Sequence, residues 1–324
     1  MTALRILFMG TAELSVASLQ TLAGNPAFQI VAVVTQPDRR KGRDLKPQPS
    51  PVKSLALQLQ LPVLQPERAR EEGFIDALRN LKPDLIVVVD YGQILPPAIL
   101  DLPRHGCLNV HTSLLPKYRG AAPIQWAIAN GDRETGVTLM KMDAGLDTGG
   151  IIAQDHTPIR PEDDSTTLHQ RLAQLGAELL VRTIPDHVAG KIQPVPQPAE
   201  GASYAAKIKK EDGHMDWSQP AQTLWNRLRA FTPWPGAFTF LPGAELDSPA
   251  TIVKNRLIKI WKAEITEQAG PPGEIISADP SGIVVGCGRD ALRILELQRE
   301  GGRRMSAGEF LAGCALKPGG KFER

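Results

Sequence analysis

Short apolar runs alternate with stretches of helical periodicity through the first half of the chain. Leu4–Met9, Gln29–Val34, Leu85–Val89 and Cys107–His111 have the length and β-branched content of strands. Leu14–Leu22, Val52–Leu59, Gly73–Leu81 and Pro123–Asn130 carry the apolar spacing of helices. Leu85-Ile-Val-Val-Val89 contains no polar residue, as expected of a strand covered on both faces in a parallel sheet. The alternation predicts a doubly wound, Rossmann-like α/β domain over residues 1–189. Ligands of such sheets bind beyond the carboxyl ends of the strands, which directs attention to the loops after Met9, Val89 and Val110.

The pattern changes at Thr135. Thr135–Met142 and Gly150–Thr157 read as a hairpin with a glycine-rich connection, followed by a long helix, Ser165–Val188. Residues 190–207 contain Gln193-Pro-Val-Pro-Gln-Pro198, a composition suited to a semi-rigid linker. Beyond it come a helix, Ala221–Phe231, and short strands near 236–241, 257–263, 273–278, 282–287 and 292–297. Their spacing predicts a small OB-like β-barrel over residues 208–324.

Composition narrows the class. The chain has 324 residues, with 37 Lys and Arg against 35 Asp and Glu, a length that accommodates two domains. No apolar run reaches the roughly 18–20 residues of a membrane span, and the stretch at the N-terminus is too short for a signal peptide, so the expectation is a cytoplasmic protein with no membrane partner. Cys107, Cys287 and Cys314 lie far apart, and the histidines lack metal-binding spacing, so neither a disulfide framework nor a metal site is expected. The loop Gly10-Thr-Ala-Glu-Leu-Ser15 has one glycine instead of the three a dinucleotide fingerprint needs, which argues against a nicotinamide enzyme. Residues 205–324 hold 17 basic and 14 acidic side chains, a bias that permits a nucleic-acid partner without requiring one.

Three clusters carry candidate chemistry. In Leu108-Asn-Val-His-Thr-Ser-Leu-Leu-Pro116, Asn109 and His111 are two apart on a strand and therefore share a face. An amide offers N–H groups to a developing oxyanion and an imidazole moves protons near neutral pH, so the pair suits acyl chemistry. Taken alone, capping a strand end is the commoner role for such residues. Asp143 and Asp147 occupy the turn Met142-Asp-Ala-Gly-Leu-Asp-Thr-Gly-Gly150, where Asp often only caps its own backbone. A carboxylate near His111 would favour the imidazolium and fix the tautomer. The third cluster, Asp38–Pro51, places Arg39, Arg40, Lys41, Arg43 and Lys46 ahead of three prolines; it reads either as a solvated loop or as a contact for a polyanion. Phe231-Thr-Pro-Trp-Pro-Gly236 is either a packed junction or a stacking surface for a base.

In this order the clusters resemble the formyltransferases that use 10-formyltetrahydrofolate. The matching segments are Gly10-Thr11, Gln36-Pro-Asp-Arg39, Pro49-Ser-Pro-Val-Lys53, Tyr91-Gly92, Ile94-Leu-Pro96, Asn109-Val-His111 and Ser113-Leu-Leu-Pro116, then Arg119–Gln125, Met142–Gly149 and Pro233-Trp-Pro235. Asn-x-His with Ser-Leu-Leu-Pro is common to the folate-dependent family. Arg-Gly-Ala-Ala-Pro-Ile and Met-Asp-Ala-Gly-Leu-Asp-Thr-Gly point within it to the branch acting on methionyl-tRNA. The resemblance implies that Asn109, His111 and Asp147 are catalytic, and that folate lies along Ser113, Leu114, Leu115 and Pro116 and the loop Asp90, Tyr91, Gly92 and Ile94. It implies further that Arg39, Arg40, Lys41, Arg43 and Lys46 approach the acceptor end of initiator methionyl-tRNA, that tetrahydrofolate is released, and that the protein is a monomer. The alternative acceptor within the family is a sugar amine or glycinamide ribonucleotide. Ala12, Asp90 and Thr112 depart from the usual Pro, Ala and Gly of the family, and a left-handed backbone at Thr112 would be strained.

Overall fold

The computed structural model describes residues 3–41, 46–241, 256–314 and 316–323. The chain divides into two compact units. The first comprises Met1–Pro123, Glu134–Pro158 and Thr167–Ala206, and the second Ile124–Arg133, Ile159–Thr166 and Lys207–Arg324. The second unit therefore takes two insertions, 124–133 and 159–166, from within the stretch expected to be wholly catalytic.

In chain order the elements begin with β1 (Leu4–Gly10), α1 (Leu14–Ala23), β2 (Phe28–Val34), β3 (Arg39–Lys41), β4 (Lys46–Gln48), α2 (Pro51–Gln58) and β5 (Val63–Leu64). They continue with α3 (Glu72–Leu81), β6 (Leu85–Val89), α4 (Pro97–Leu100), β7 (Cys107–His111), β8 (Arg119–Gly120) and α5 (Pro123–Ala129). Next come β9 (Glu134–Lys141), β10 (Ile151–Pro158), α6 (Ser165–Val188) and β11 (Tyr204–Ala205). Local chemistry explains several boundaries. Ser50 caps α2 by accepting a hydrogen bond from the Lys53 amide at 3.0 Å, with Pro51 in the first turn. α3 buries Phe74, Ile75 and Leu78 on one face and ends at Lys82, which is left-handed with φ 45°.

The main sheet runs β10-β9-β7-β6-β1-β2-β5, with β7, β6, β1, β2 and β5 mutually parallel and β9 and β10 antiparallel at one edge. All five residues of β6 are buried, so the unbroken apolar run is satisfied on both faces. Strand order reverses at β1, whose neighbours are β2 and β6. That switch point opens a crevice at the strands' carboxyl ends. There Ser15 Oγ donates to the Val89 carbonyl at 2.5 Å and Thr11 Oγ1 to the Tyr91 carbonyl at 2.9 Å, tying the two loops together.

Of the stretch read as a semi-rigid linker, residues 190–206 fall within this unit. Val195 and Ile151 exchange amide–carbonyl bonds of 2.8 Å in both directions, and β11 pairs with β8. The sheet edge and β8 capture parts of it because extended backbone presents unpaired amides and carbonyls that need partners.

The second unit contains α7 (Ala221–Ala230), β12 (Ala237–Leu241), β13 (Arg256–Thr266), β14 (Ile275–Asp279), β15 (Gly282–Gly286), β16 (Ala291–Arg299), β17 (Arg304–Ser306) and α8 (Ala307–Ala312). Its sheet order is β12-β13-β16-β15-β14, with β17 on β16, and every strand pair is antiparallel. The C-terminal tail bridges the two edge strands: Glu323 N donates to Phe240 O at 2.9 Å on one side, and Ile275 N to Gly320 O at 2.8 Å on the other. This contact closes the sheet in the manner expected of a small barrel. Its core includes Trp217, Leu224, Ile258, Ile294 and Phe310. No helix among the described residues is long and apolar enough to cross a membrane.

Candidate active site

β7 places Asn109 and His111 on one face, as its two-residue period requires. The connection between β9 and β10 folds back to bring Asp147 to them. Asp147 Oδ2 lies 3.7 Å from His111 Nδ1, and Asn109 Nδ2 stands 3.5 Å from Asp147 Oδ1. The shortest bond to the carboxylate comes from the Gly120 amide, which donates to Oδ2 at 2.8 Å. Three segments distant in sequence therefore converge on one small volume.

His111 is 6% exposed, and its Nε2 donates to the Tyr118 carbonyl at 2.8 Å. A carbonyl oxygen only accepts, so Nε2 keeps its proton in both charge states of the ring. The tautomer is thus set by Tyr118, not by Asp147 as the sequence led us to expect. At 3.7 Å Asp147 is too far for a direct hydrogen bond to Nδ1, and its nearer oxygen also accepts from Gly120. Nδ1 is consequently the nitrogen that faces the carboxylate.

Backbone strain gathers here. Asp90, Tyr118 and Asp147 are left-handed non-glycine residues, with φ of 43°, 59° and 52°. Such conformations cost about 1–3 kcal/mol each and persist only where surrounding contacts hold them. Thr112, by contrast, is not left-handed, so replacing the family's usual glycine carries no backbone penalty.

The turn from Ser113 to Pro116 is fixed from beneath. Ser113 Oγ donates to the Lys117 carbonyl at 2.6 Å, and Thr138 Oγ1 donates to the Ser113 carbonyl at 2.7 Å while accepting from the Leu115 amide at 3.1 Å. Ser113 and Leu115 are buried, leaving half-buried Leu114 and Pro116 as the surface of the turn. In the loop after β6, Tyr91 is buried and its hydroxyl pKa is pushed up to about 12 by that burial. Gly92 is exposed with φ 85°, and Ile94 is 83% exposed.

A cleft of about 290 Å³ lies at the switch point, lined by Thr11, Gln36, Arg39, Asp90, Tyr91 and Gly92 among others. Asp90 opens toward solvent, yet protein crowds its carboxyl enough to raise its pKa above the ordinary aspartate range; the charge of His169 opposes that shift. Arg39 lines this cleft, and the backbones of Arg40, Lys41 and Lys46 lie in the paired strands β3 and β4. Arg43 lies outside the described residues. Among the described residues no group of three His, Cys, Asp or Glu is placed to hold a metal ion.

Sequence reasoning missed several partners. The Gly120 amide and the Tyr118 carbonyl are backbone groups that leave no compositional trace. Gln197, placed in the expected linker, contacts the Asp147 backbone; its position among prolines masked it. Gln154, which donates to Leu115 O at 3.0 Å and Thr138 Oγ1 at 2.8 Å, had no motif to announce it.

The chain matches known proteins over both units. The formyl transferase family model covers residues 4–184, and that of the formyl transferase C-terminal domain covers residues 207–315. A methionyl-tRNA formyltransferase of Citrifermentans bemidjiense is 49% identical over 320 residues, spanning 99% of this chain and 96% of the relative. One of Myxococcus xanthus is 49% identical over 315 residues, spanning 97% and 96%. Among solved structures, the sugar 3N-formyl transferase WlaRD superposes with a TM-score of 0.64 at 20% identity, covering 91% of this chain and 98% of that one. HypX of Aquifex aeolicus, solved with tetrahydrofolic acid, superposes with a TM-score of 0.61 at 19% identity; all of this chain matches about half, 51%, of HypX. These structures share the fold, while the sequence matches establish kinship: the chain belongs to the formyl transferase family.

Proposed function

We propose that this protein transfers the formyl group of 10-formyltetrahydrofolate to the amino group of initiator methionyl-tRNA. The observation that carries the reading is the meeting of Asn109, His111 and Asp147, in a chain 49% identical over 99% of its length to a methionyl-tRNA formyltransferase. A folate needs apolar flanks and a few backbone hydrogen-bonding groups. Exposed Ile94 with half-buried Leu114 and Pro116 offers the flanks, and the loop from Asp90 to Ile94 offers the backbone, so the residues present fit the co-substrate.

When bound, the folate supplies an activated formyl carbon. Asn109 has two amide hydrogens; one faces Asp147, and the other is available to the oxygen on which negative charge develops. His111, protonated at Nδ1 beside Asp147, adds a second donor to that oxygen. The methionyl nitrogen forms the new carbon–nitrogen bond as the bond from the formyl carbon to N10 breaks. Asp147 assists the proton's passage from the attacking amine to the N10 leaving group. One oxyanion donor is worth about 10²–10³ in rate and a positioned proton transfer about 10²–10⁴.

Ser113 has its hydroxyl committed to the Lys117 carbonyl, which supports direct transfer without an acyl-enzyme. In this reading Arg39, Arg40, Lys41, Arg43 and Lys46 approach the acceptor end, residues 208–324 grip the body of the tRNA, and the enzyme works as a cytoplasmic monomer.

The test offers purified protein 10-formyltetrahydrofolate with methionyl-tRNA, a nucleotide-linked sugar amine or glycinamide ribonucleotide. Formylation of methionyl-tRNA is expected. Transfer only to one of the other amines would overturn the reading, and tRNA binding with no release of tetrahydrofolate would point instead to a non-catalytic RNA-binding protein.

A further inference from the structure

We infer that Gln197 is a positioning residue for formyl transfer, fixing Asp147 from two sides at once. Its Nε2 donates to the carbonyls of Asp147 and Gly149, both at 2.8 Å. Its Oε1 accepts from Arg119 Nε at 3.0 Å and from Nη2 of the same guanidinium at 2.8 Å. A primary amide has two donor hydrogens and two acceptor lone pairs, and here all four point into one loop system.

The two sides have different jobs. Asp147 is left-handed at φ 52°, so its backbone needs external anchors, and Gln197 supplies two of them. Arg119 is the residue before Gly120, whose amide makes the 2.8 Å bond to the Asp147 carboxylate. Holding the Arg119 guanidinium therefore steadies the strand that carries the carboxylate's donor. Gly120 is itself confined: it has φ 111°, and a Cβ there would stand 2.8 Å from the Ala205 carbonyl oxygen. The amide that links backbone and strand arrives on restrained chain, between Pro196 and Pro198 and two residues after the Val195–Ile151 bridge.

Nothing in this arrangement has Gln197 touching the reactants, so its effect passes through Asp147. Without it the carboxylate keeps the Gly120 bond but loses the backbone geometry that aims it at His111. A displacement on the scale of 1 Å from a group outside the chemistry can cost about 100-fold in rate.

The inference rests on the proposed formyl transfer to methionyl-tRNA, and the wild-type assay tests that reading separately. In the full-length protein, Gln197→Ala is expected to lower kcat about 10- to 100-fold, with KM for methionyl-tRNA and for 10-formyltetrahydrofolate changed less than about threefold. Gln197→Glu, nearly the same shape and therefore able to fill the site, keeps the acceptor for Arg119 but turns an oxygen toward the two carbonyls, and should lose kcat comparably. In an Asp147→Asn background, Gln197→Ala should cost less than about threefold more, because the residue through which it acts is already disabled. Unchanged kcat in both single variants, a rise in KM alone, or a full multiplicative loss in the Asp147→Asn background would overturn the inference. A wild-type protein that fails to formylate methionyl-tRNA would instead remove the reading beneath it.

Discussion

His111 Nε2 donates to the carbonyl oxygen of Tyr118 across 2.8 Å, which commits that nitrogen to the backbone and leaves Nδ1 toward Asp147. Tyr118 is itself left-handed, so the chain accepts strain at the residue that orients the imidazole. Which ring nitrogen of His111 faces Asp147 is thus a property of a turn that neither the Asn-x-His motif nor the aspartate encodes.

In the proposed mechanism Asn109 and His111 both donate to the developing oxyanion, so His111→Ala and Asn109→Ala should each lower kcat by at least about 100-fold. Affinity for methionyl-tRNA, measured by filter binding, should stay within about threefold of wild type. A large loss of affinity with normal turnover would show that the pair is structural.

Ser113→Ala separates direct transfer from an acyl-enzyme route. The hydroxyl donates to the Lys117 carbonyl, a bond worth about 0.5–1.5 kcal/mol net. The variant should retain kcat within about tenfold, with slightly lower stability. A collapse of activity in a folded Ser113→Ala protein, with a formylated intermediate trapped on the wild type by rapid quench, would contradict direct transfer.

Asp90 gives a pH signature. Burial raises its carboxyl pKa in the folded chain, so the folded state favours the protonated form. That contribution is fully present below the ordinary aspartate value of 3.8 and is lost as pH rises through the higher folded value. Asp90→Asn should therefore be more stable than wild type near pH 7, and the difference should shrink as pH falls below the folded value. Denaturant titrations across pH measure this, and a difference independent of pH would contradict it. Since Asp90 lines the cleft, the same variant reports on ligand binding there.

Arg39 stands at the cleft. If it contacts a tRNA phosphate, Arg39→Ala should weaken binding and reduce the slope of log affinity against log salt by about one. An unchanged slope with unchanged activity would return the side chain to a solvated role.

Much of the architecture was readable in advance because burial imposes period and length. The run Leu85–Val89 could be satisfied only with both faces covered, and β6 is covered on both. Ser50-Pro51 encodes a helix start through a side-chain oxygen and a fixed φ, and α2 begins there. Helix α8 was overlooked although Ser306 and Glu309 spell a capping box, which the structure forms in both directions. The assignment of 124–133 and 159–166 to the second unit was not readable, since which core a short segment joins depends on packing among elements far away in sequence.

By itself the sequence determined the longer strands and helices, the face shared by Asn109 and His111, and a family kinship strong enough to name the chemistry. Those features follow from local periodicity and from motifs written in contiguous residues. Only the tertiary structure decided that Tyr118 holds the imidazole, that Gly120 holds the carboxylate, and that a glutamine among prolines joins the site. Their donors and acceptors are mostly backbone groups. Every residue has them, so only the folded path of the chain can select which ones meet.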